Sequence, residues 1–377
     1  MKKSLHICFV TDEYPPYRQG GIGVFTKTLA EFMVKKGHSV SVLGHYNKEI
    51  SGYKNINGVN LYLLPKNKRP KISFYINKSR LNNQLKKINS NQKIDIIEAP
   101  NISLASISNS FDALKIMRIH SEISLTKGGK FFRKYLIDKT LSSADGIIAV
   151  SEFSKKLNSK NLKIPPQLIE VIYNPINTSL FYPRKKNEIQ NSIIFVGKIS
   201  ENKGAKDLIL AMEKVINEVP DAKLTIVGRD TLNNNKSYKD YILSLISEKT
   251  KNAIKFTGPV AHEKIPELIA SHQVCVYPSH NENMPIAWLE GMAMGKAVIG
   301  STIEPAYEII ENEKNGLLSE VGNPTSLAKN IIKLLNNKSL RDTIGRNALK
   351  TIRTKFDINI LINRNLDYYY KLLNKNF

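Results

Sequence analysis

Residues 274–301 read VCVYPSHNENMPIAWLEGMAMGKAVIGS. The stretch opens with a short apolar run, Val274 to Tyr277, bounded by Pro278 and Ser279, which predicts a buried strand. After a polar loop, Ile286, Leu289, Met292 and Ala293 recur at helical spacing. Pro285 stands where a first turn tolerates it and Gly295 where a helix stops. Lys296–Gly300 predicts the next strand. Strand, loop, helix, strand is the repeat of a parallel α/β sheet, and ligands of such sheets bind at the carboxyl ends of the strands. Glu282 falls in the loop and Glu290 about a turn and a half into the helix. Free backbone N–H groups at a helix start can meet a phosphate, and a nearby carboxylate can accept from sugar hydroxyls. That suits a nucleotide sugar. On spacing alone the pair reads equally well as a helix-start charge and a solvated helix face.

The segment PSHNENMPIAWLEGMAMGKAVIGS, 278–301, resembles the signature of the family 4 retaining glycosyltransferases. The resemblance implies an α/β GT-B fold: two doubly wound, parallel-sheet, Rossmann-like domains facing each other across a cleft. It also implies that Glu282 lies against the donor sugar and Glu290 against the nucleotide ribose, with Asn283, Met284 and Pro285 forming the donor-facing loop.

Other segments carry the same resemblance. Leu5–Val10 and Ser39–Leu43 predict strands, joined through Gly20-Gly21-Ile22-Gly23 and an amphipathic helix ending at Gly37. Thr26 stands where a dinucleotide fingerprint needs its third glycine, which argues against a hydride-transferring dehydrogenase. A lone glycine loop reads first as a tight turn. However, YPPYRQGGIGVFTKTLAEFMVKKGHSVSVL, 14–43, is similar to the family's opening segment, which makes Gly20, Gly21 and Gly23 candidates for approach to donor phosphate and acceptor. Further strands are expected at Val59–Leu64, Ile94–Glu98, Lys115–Ile119 and Gly146–Val150. His120 follows one of them; the family implies for it a hydrogen bond to the donor sugar rather than general-base work.

In FVGKISENKGAKDLILAM, 195–212, Lys198 and Lys203 lie at a strand end, where two ammonium groups can neutralise a diphosphate leaving group. In the family that basic pair binds the diphosphate, usually with arginine first; lysine keeps the charge but loses the bidentate fork. Gly258-Pro259-Val260 resembles the segment whose backbone meets the nucleobase, making Val260 a donor-site residue. A departure lies at Pro305-Ala306-Tyr307, where relatives usually carry two glycines. AVSEFSKK, 149–156, and VIYNPINTSLFYP, 171–183, resemble the end of the first domain and its linker. The expected division is therefore an acceptor-side domain over 1–180, a nucleotide-sugar-binding domain over 181–361, and a C-terminal helix, 362–377, returning to the first domain.

A chain of 377 residues suits two domains, and no uninterrupted apolar run approaches the length of a membrane span. Cys8 and Cys275 sit in predicted buried strands and read as core residues. The net charge of +23 is uneven: residues 1–185 carry 30 Lys+Arg against 12 Asp+Glu, while 186–377 carry 26 against 21. Lys66, Lys68, Arg69, Lys71, Lys78 and Arg80 surround Phe74 and Tyr75, and Lys127, Lys130, Arg133 and Lys134 flank Phe131 and Phe132. Basic and aromatic residues together suit an anionic membrane surface; no nucleic-acid-binding motif accompanies them. The chain is expected in the cytoplasm, peripheral to the inner face of the membrane. No Asp-x-Asp occurs, so no metal and no cofactor are expected. The expected activity is transfer of a sugar, with retention, from a nucleotide-diphosphate donor to a saccharide or lipid-linked acceptor in bacterial cell-surface polysaccharide synthesis. A UDP-sugar is favoured as donor, a GDP-sugar next. The alternatives are a non-catalytic sugar-nucleotide-binding or assembly subunit of the same fold, and a sugar-nucleotide epimerase.

Overall fold

The computed structural model describes residues 3–18, 20–69, 72–124, 130–233 and 236–375. It divides into two compact units, 1–175 with 358–377, and 176–357. The boundary falls at Pro175 rather than at 180. Ile176 N–H donates to Phe356 O (2.8 Å) and Thr178 Oγ1 to Asp357 Oδ2 (2.8 Å), so the start of the linker is bonded to the end of the second unit.

Unit 1 is built on one sheet of eight strands: β1 (His6–Val10), β2 (Ser39–Tyr46), β3 (Gly52–Ile56), β4 (Val59–Pro65), β5 (Ile96–Pro100), β6 (Leu114–Ile119), β7 (Gly146–Ala149) and β8 (Ile169–Val171). Their order is β3-β4-β2-β1-β5-β6-β7-β8, parallel except for the antiparallel edge pair β3–β4. Around it lie α1 (Gly21–Lys35), α2 (Ser73–Asn91), α3 (Lys130–Ser143), α4 (Glu152–Leu162) and the terminal helix, which begins at Ile358, four residues before the expected start. The central strands are near-continuous apolar runs because helices cover both faces. α1 buries Phe25, Leu29 and Met33, and α2 buries Leu81, Leu85 and Ile88.

One charged cluster interrupts this core. Arg118 is 0% exposed; its Nε and Nη2 donate to the two oxygens of Glu98 at 2.6 and 3.0 Å, and Nη2 also reaches Asn365 Oδ1 at 2.5 Å. Tyr369 donates its hydroxyl to Glu98 Oε2 at 2.6 Å. Burial pulls the guanidinium pKa down, but Glu98 and Tyr369 together hold it above its ordinary value. Removing either charge alone would strand the other, at about 3–5 kcal/mol.

Unit 2 holds β9 (Ser192–Val196), β10 (Lys223–Val227), a small hairpin of β11 (Leu232–Asn233) and β12 (Lys236–Ser237), β13 (Ile254–Gly258), β14 (Val274–Val276), β15 (Ala297–Ser301) and β16 (Leu317–Ser319). Its six-stranded parallel sheet runs β13-β10-β9-β14-β15-β16. The helices are α5 (Ala205–Glu218), α6 (Tyr238–Leu243), α7 (Glu248–Asn252), α8 (Ile265–Ala270), α9 (Ile286–Ala293), α10 (Pro324–Asn336) and α11 (Lys338–Thr351), and α12 (Ile358–Lys375) is the terminal helix of unit 1. α5 and α10 pack together, and Leu208, Met212, Ile331 and Leu334 are among their buried residues. Cys8 and Cys275 are free and wholly buried in their strands, and burial pushes both thiols up to about 12. Among the described residues no helix is long and apolar enough to cross a membrane.

Candidate functional site

In each sheet the strand order reverses at one point, between β1 and β5 in unit 1 and between β9 and β14 in unit 2. The crevice at the carboxyl ends of such a pair is where an open α/β sheet has unpaired backbone and room for a ligand.

In unit 2 the chain leaves β9 at Gly197-Lys198 and turns through a 3₁₀ segment, Glu201–Lys203, while β14 leads into Tyr277–Pro285. These two loops are bonded to each other: His280 N–H donates to Asn202 O at 2.9 Å, and His280 Nε2 lies 2.5 Å from Asp207 Oδ2. Gly204 makes the approach feasible. Its φ is +66°, and an added Cβ would fall 1.9 Å from Pro278 O, so only glycine fits. The result is that Lys203 Nζ reaches Glu282 Oε1, which also accepts from Ser279 Oγ at 2.9 Å. The structure thus joins Lys203 and Glu282 into one ion pair, a contact between residues 79 apart that spacing did not show. Lysine has three N–H donors, and Glu282 uses one.

α9 begins at Ile286 with Pro285 as its N-cap, and no side chain caps it. Met284 and Pro285 are buried, Asn283 is half-buried and Lys198 is exposed beside Gly197 at the end of β9. Glu290 is 5% exposed, and its Oε1 lies 2.6 Å from His262 Nε2. His262 was not among the expected site residues. It follows Val260 by two positions in the turn after β13, so this hydrogen bond brings the Val260 segment and Glu290 together. Pro305, Ala306 and Tyr307 form a 3₁₀ turn after β15, with Pro305 and Ala306 buried.

In unit 1, Gly20 caps α1 in extended conformation and none of Gly20, Gly21 and Gly23 has positive φ, so turn strain does not explain them. A carboxylate occupies this helix start instead. Gly23 N–H donates to Glu13 Oε2 at 3.3 Å, and a Cβ at Gly20 would lie 2.2 Å from that same oxygen. Glu13 thus joins the candidate residues at this helix start, where glycine spacing alone conceals it, and it uses one of the donors expected for phosphate.

His120 follows β6, and its backbone N–H donates to Asn101 Oδ1 at 3.0 Å. The ring stands edge-on to Phe25 with centroids 4.7 Å apart, and makes no hydrogen bond among the described residues. The Arg118 guanidinium covers the same phenyl ring at 4.8 Å. Burial, with Arg118 nearby, pushes the His120 pKa down to about 3. The imidazole is thus neutral throughout the physiological range and suited to hydrogen bonding. Its pKa in the unfolded chain is near 6.5, so below that pH the unfolded state takes up a proton that the folded state refuses, and stability falls with pH.

The two basic, aromatic stretches meet. Phe74 on α2 and Phe132 on α3 have ring centroids 5.2 Å apart, and Phe131 is 93% exposed beside them. Lys78 lies over Phe74, whereas Lys66 pairs with Asp12 at 3.4 Å. Lys71, Lys127 and the Lys130 side chain lie outside what the structure describes.

Replacing His120 by glutamine should flatten the acid loss of stability between pH 6.5 and 4 by up to about 1.4 kcal/mol per pH unit, read by urea denaturation across that range. An unchanged slope would mean that the folded state protonates His120.

A family model described as glycosyltransferase family 4 matches residues 19–180, and one described as glycosyl transferases group 1 matches residues 179–351. An uncharacterized glycosyltransferase of Methanocaldococcus jannaschii is 28% identical, over 97% of this chain and 98% of its own length. The capsular polysaccharide biosynthesis glycosyltransferase CapM of Staphylococcus aureus is 26% identical over 88% and 89%. Sucrose-phosphate synthase from Thermosynechococcus elongatus has a similar structure, with a TM-score of 0.82 at 18% identity over 98% of this chain and all of that one. HepE from Anabaena, solved with UDP and glucose, gives a TM-score of 0.76 at 18% identity over 97% of this chain and all of that one. With two consecutive family models spanning 19–351 and a Rossmann-like parallel sheet in each unit, the chain belongs to the group 1, family 4 glycosyltransferases.

Proposed function

We propose that this glycosyltransferase moves a hexose, with retention and without a metal, from a nucleoside-diphosphate donor to a saccharide or lipid-linked acceptor in bacterial cell-surface polysaccharide synthesis. The observation that carries this reading is the Lys203–Glu282 contact at the carboxyl ends of β9 and β14. It sets a cation with free donors and an oriented carboxylate beside an uncapped helix start. Diphosphate departure needs positive charge where negative charge develops, and Lys203, Lys198 and the first N–H groups of α9 supply it in fixed positions. Glu282 then accepts from donor-sugar hydroxyls and Glu290 from the ribose, with Val260, Asn283, Met284 and Pro285 lining the nucleotide. In unit 1 the proposed role of His120 is a neutral hydrogen bond to a sugar hydroxyl. Gly20, Gly21 and Gly23 leave room at the α1 start for the Glu13 carboxylate, which is there to accept from a hydroxyl.

The sugar C1–O bond to the diphosphate breaks as the acceptor oxygen attacks the same face, and the acceptor's proton passes to the departing phosphate oxygen. A UDP-sugar is favoured, with a GDP-sugar next; HepE, a structural relative, was solved with UDP and glucose. The name of CapM supports a polysaccharide product.

A second element of the reading is peripheral attachment to an anionic, cytoplasm-facing membrane. It is favoured by the joined aromatic cluster, in which Phe131, Tyr75 and Tyr135 are exposed by 93%, 68% and 51% amid lysines. Burying such rings in a lipid interface adds apolar area to the electrostatic attraction.

Lys203→Ala should lower turnover by about 10²–10³-fold with the fold intact, and EDTA should leave wild-type transfer unchanged. Unaltered transfer by the variant would remove the phosphate role. Phe131→Ser combined with Lys134→Ser should abolish co-sedimentation with phosphatidylglycerol vesicles while leaving transfer to a soluble acceptor intact; undiminished sedimentation would sink this membrane surface.

A further inference from the structure

Glu290 and His262 form the most buried acid–histidine contact of unit 2, and no step proposed above uses the histidine. The Glu290 and His262 side chains are 6% and 15% exposed, and Nε2 lies 2.6 Å from Oε1. An ionised carboxylate only accepts, so His262 Nε2 carries the proton and donates it. The imidazole is itself packed, 5.2 Å from the ring of Phe181, which is 2% exposed. Glu290 Oε2 has no hydrogen-bond partner among the described residues. A glutamate's terminal torsion is broad and roughly two-fold, so without a donor on one oxygen the carboxylate would sample orientations. With Oε1 engaged, a single acceptor oxygen is left in a fixed direction.

We propose that His262 is a positioning residue for nucleotide selection: by holding Oε1 it presents Oε2 of Glu290 to the vicinal hydroxyls of the donor's ribose. The inference rests on the reading of Glu290 as the ribose acceptor and adds the group that makes that acceptor directional. It also gives the turn after β13 a second task. The segment carrying Val260 toward the base also orients the carboxylate for the sugar, so base and ribose recognition share one rigid link. A merely structural His262–Glu290 tie would behave differently. Its loss would weaken every nucleotide equally.

The test is calorimetric titration of UDP against 2′,3′-dideoxy-UDP, and of GDP against its dideoxy form, into wild type, His262→Gln, His262→Leu and Glu290→Gln. Glutamine keeps an N–H donor at similar reach, and leucine removes it. The wild type is expected to favour the ribo form by about tenfold or more, as for a hydrogen bond to a charged group. Glu290→Gln and His262→Leu should reduce that preference to within about threefold, His262→Gln should retain it, and dideoxy affinity should be the same in all four. Full preference in His262→Leu alongside its loss in Glu290→Gln would overturn the role of His262 while leaving Glu290's standing. Preference persisting in Glu290→Gln would overturn the ribose reading and this inference with it. Parallel loss of ribo and dideoxy binding in His262→Leu would assign the contact to structure alone.

Discussion

The loops that leave β9 and β14 are tied to each other through their backbones, and the chemistry proposed for unit 2 depends on that tie. Asn202 O accepts from His280 N–H, and Gly204, in left-handed conformation, lets the chain pass against Pro278 O. A side chain at 204 would push the loops apart. Because they are held together, Lys203 and Glu282 meet before any donor arrives, and Asp207 at the start of α5 braces His280 from below the loop. Charge that is already in place costs no reorganisation when a phosphate leaves, which is the largest single source of stabilisation in many enzymes. The parallel sheet supplies the position, the glycine the proximity, and the ion pair the field.

Unit 1 uses buried charge differently. Arg118 and Glu98 are spent on each other and on Asn365 and Tyr369 of the terminal helix, fastening α12 to β5 and β6. The price of desolvating two ions is offset by four directed hydrogen bonds. Burial keeps the His120 ring neutral, and the same guanidinium nearby adds to that effect, so one buried cation serves the attachment of the terminal helix and contributes to the protonation state of a candidate site residue. On the surface of this unit, Phe74 of α2 and Phe132 of α3 meet and Lys78 lies over Phe74.

The central strands were legible because a parallel sheet covered on both faces turns into unbroken apolar runs, as at Gly146–Val150, where the structure places β7 over Gly146–Ala149. Three of the edge strands were not. β3 is exposed along most of its length, and β8 and β16 have three residues each, too short for any period to register. α9 is legible from its spacing, although it starts after Pro285 and ends at Ala293, with Gly295 in the left-handed turn beyond. Within the candidate site, Glu282, Glu290 and Lys203 could be picked out by local motif, but the contacts that join them are non-local: Lys203 to Glu282 spans 79 positions and His262 to Glu290 spans 28. His262 carries only one local signal, a histidine in a turn just after a strand, which is too common to single out. Glu13 carries no local signal either, since its contact with the Gly20–Gly23 segment spans ten positions.

The most direct test is calorimetric titration of UDP, GDP, ADP and their common sugars into the full chain, with and without EDTA. The account predicts that one nucleoside diphosphate binds, that its affinity survives EDTA, and that Lys203→Ala weakens it. Binding that disappears with EDTA, or that is indifferent to Lys203, would contradict a donor site built from the Lys203–Glu282 pair and the start of α9.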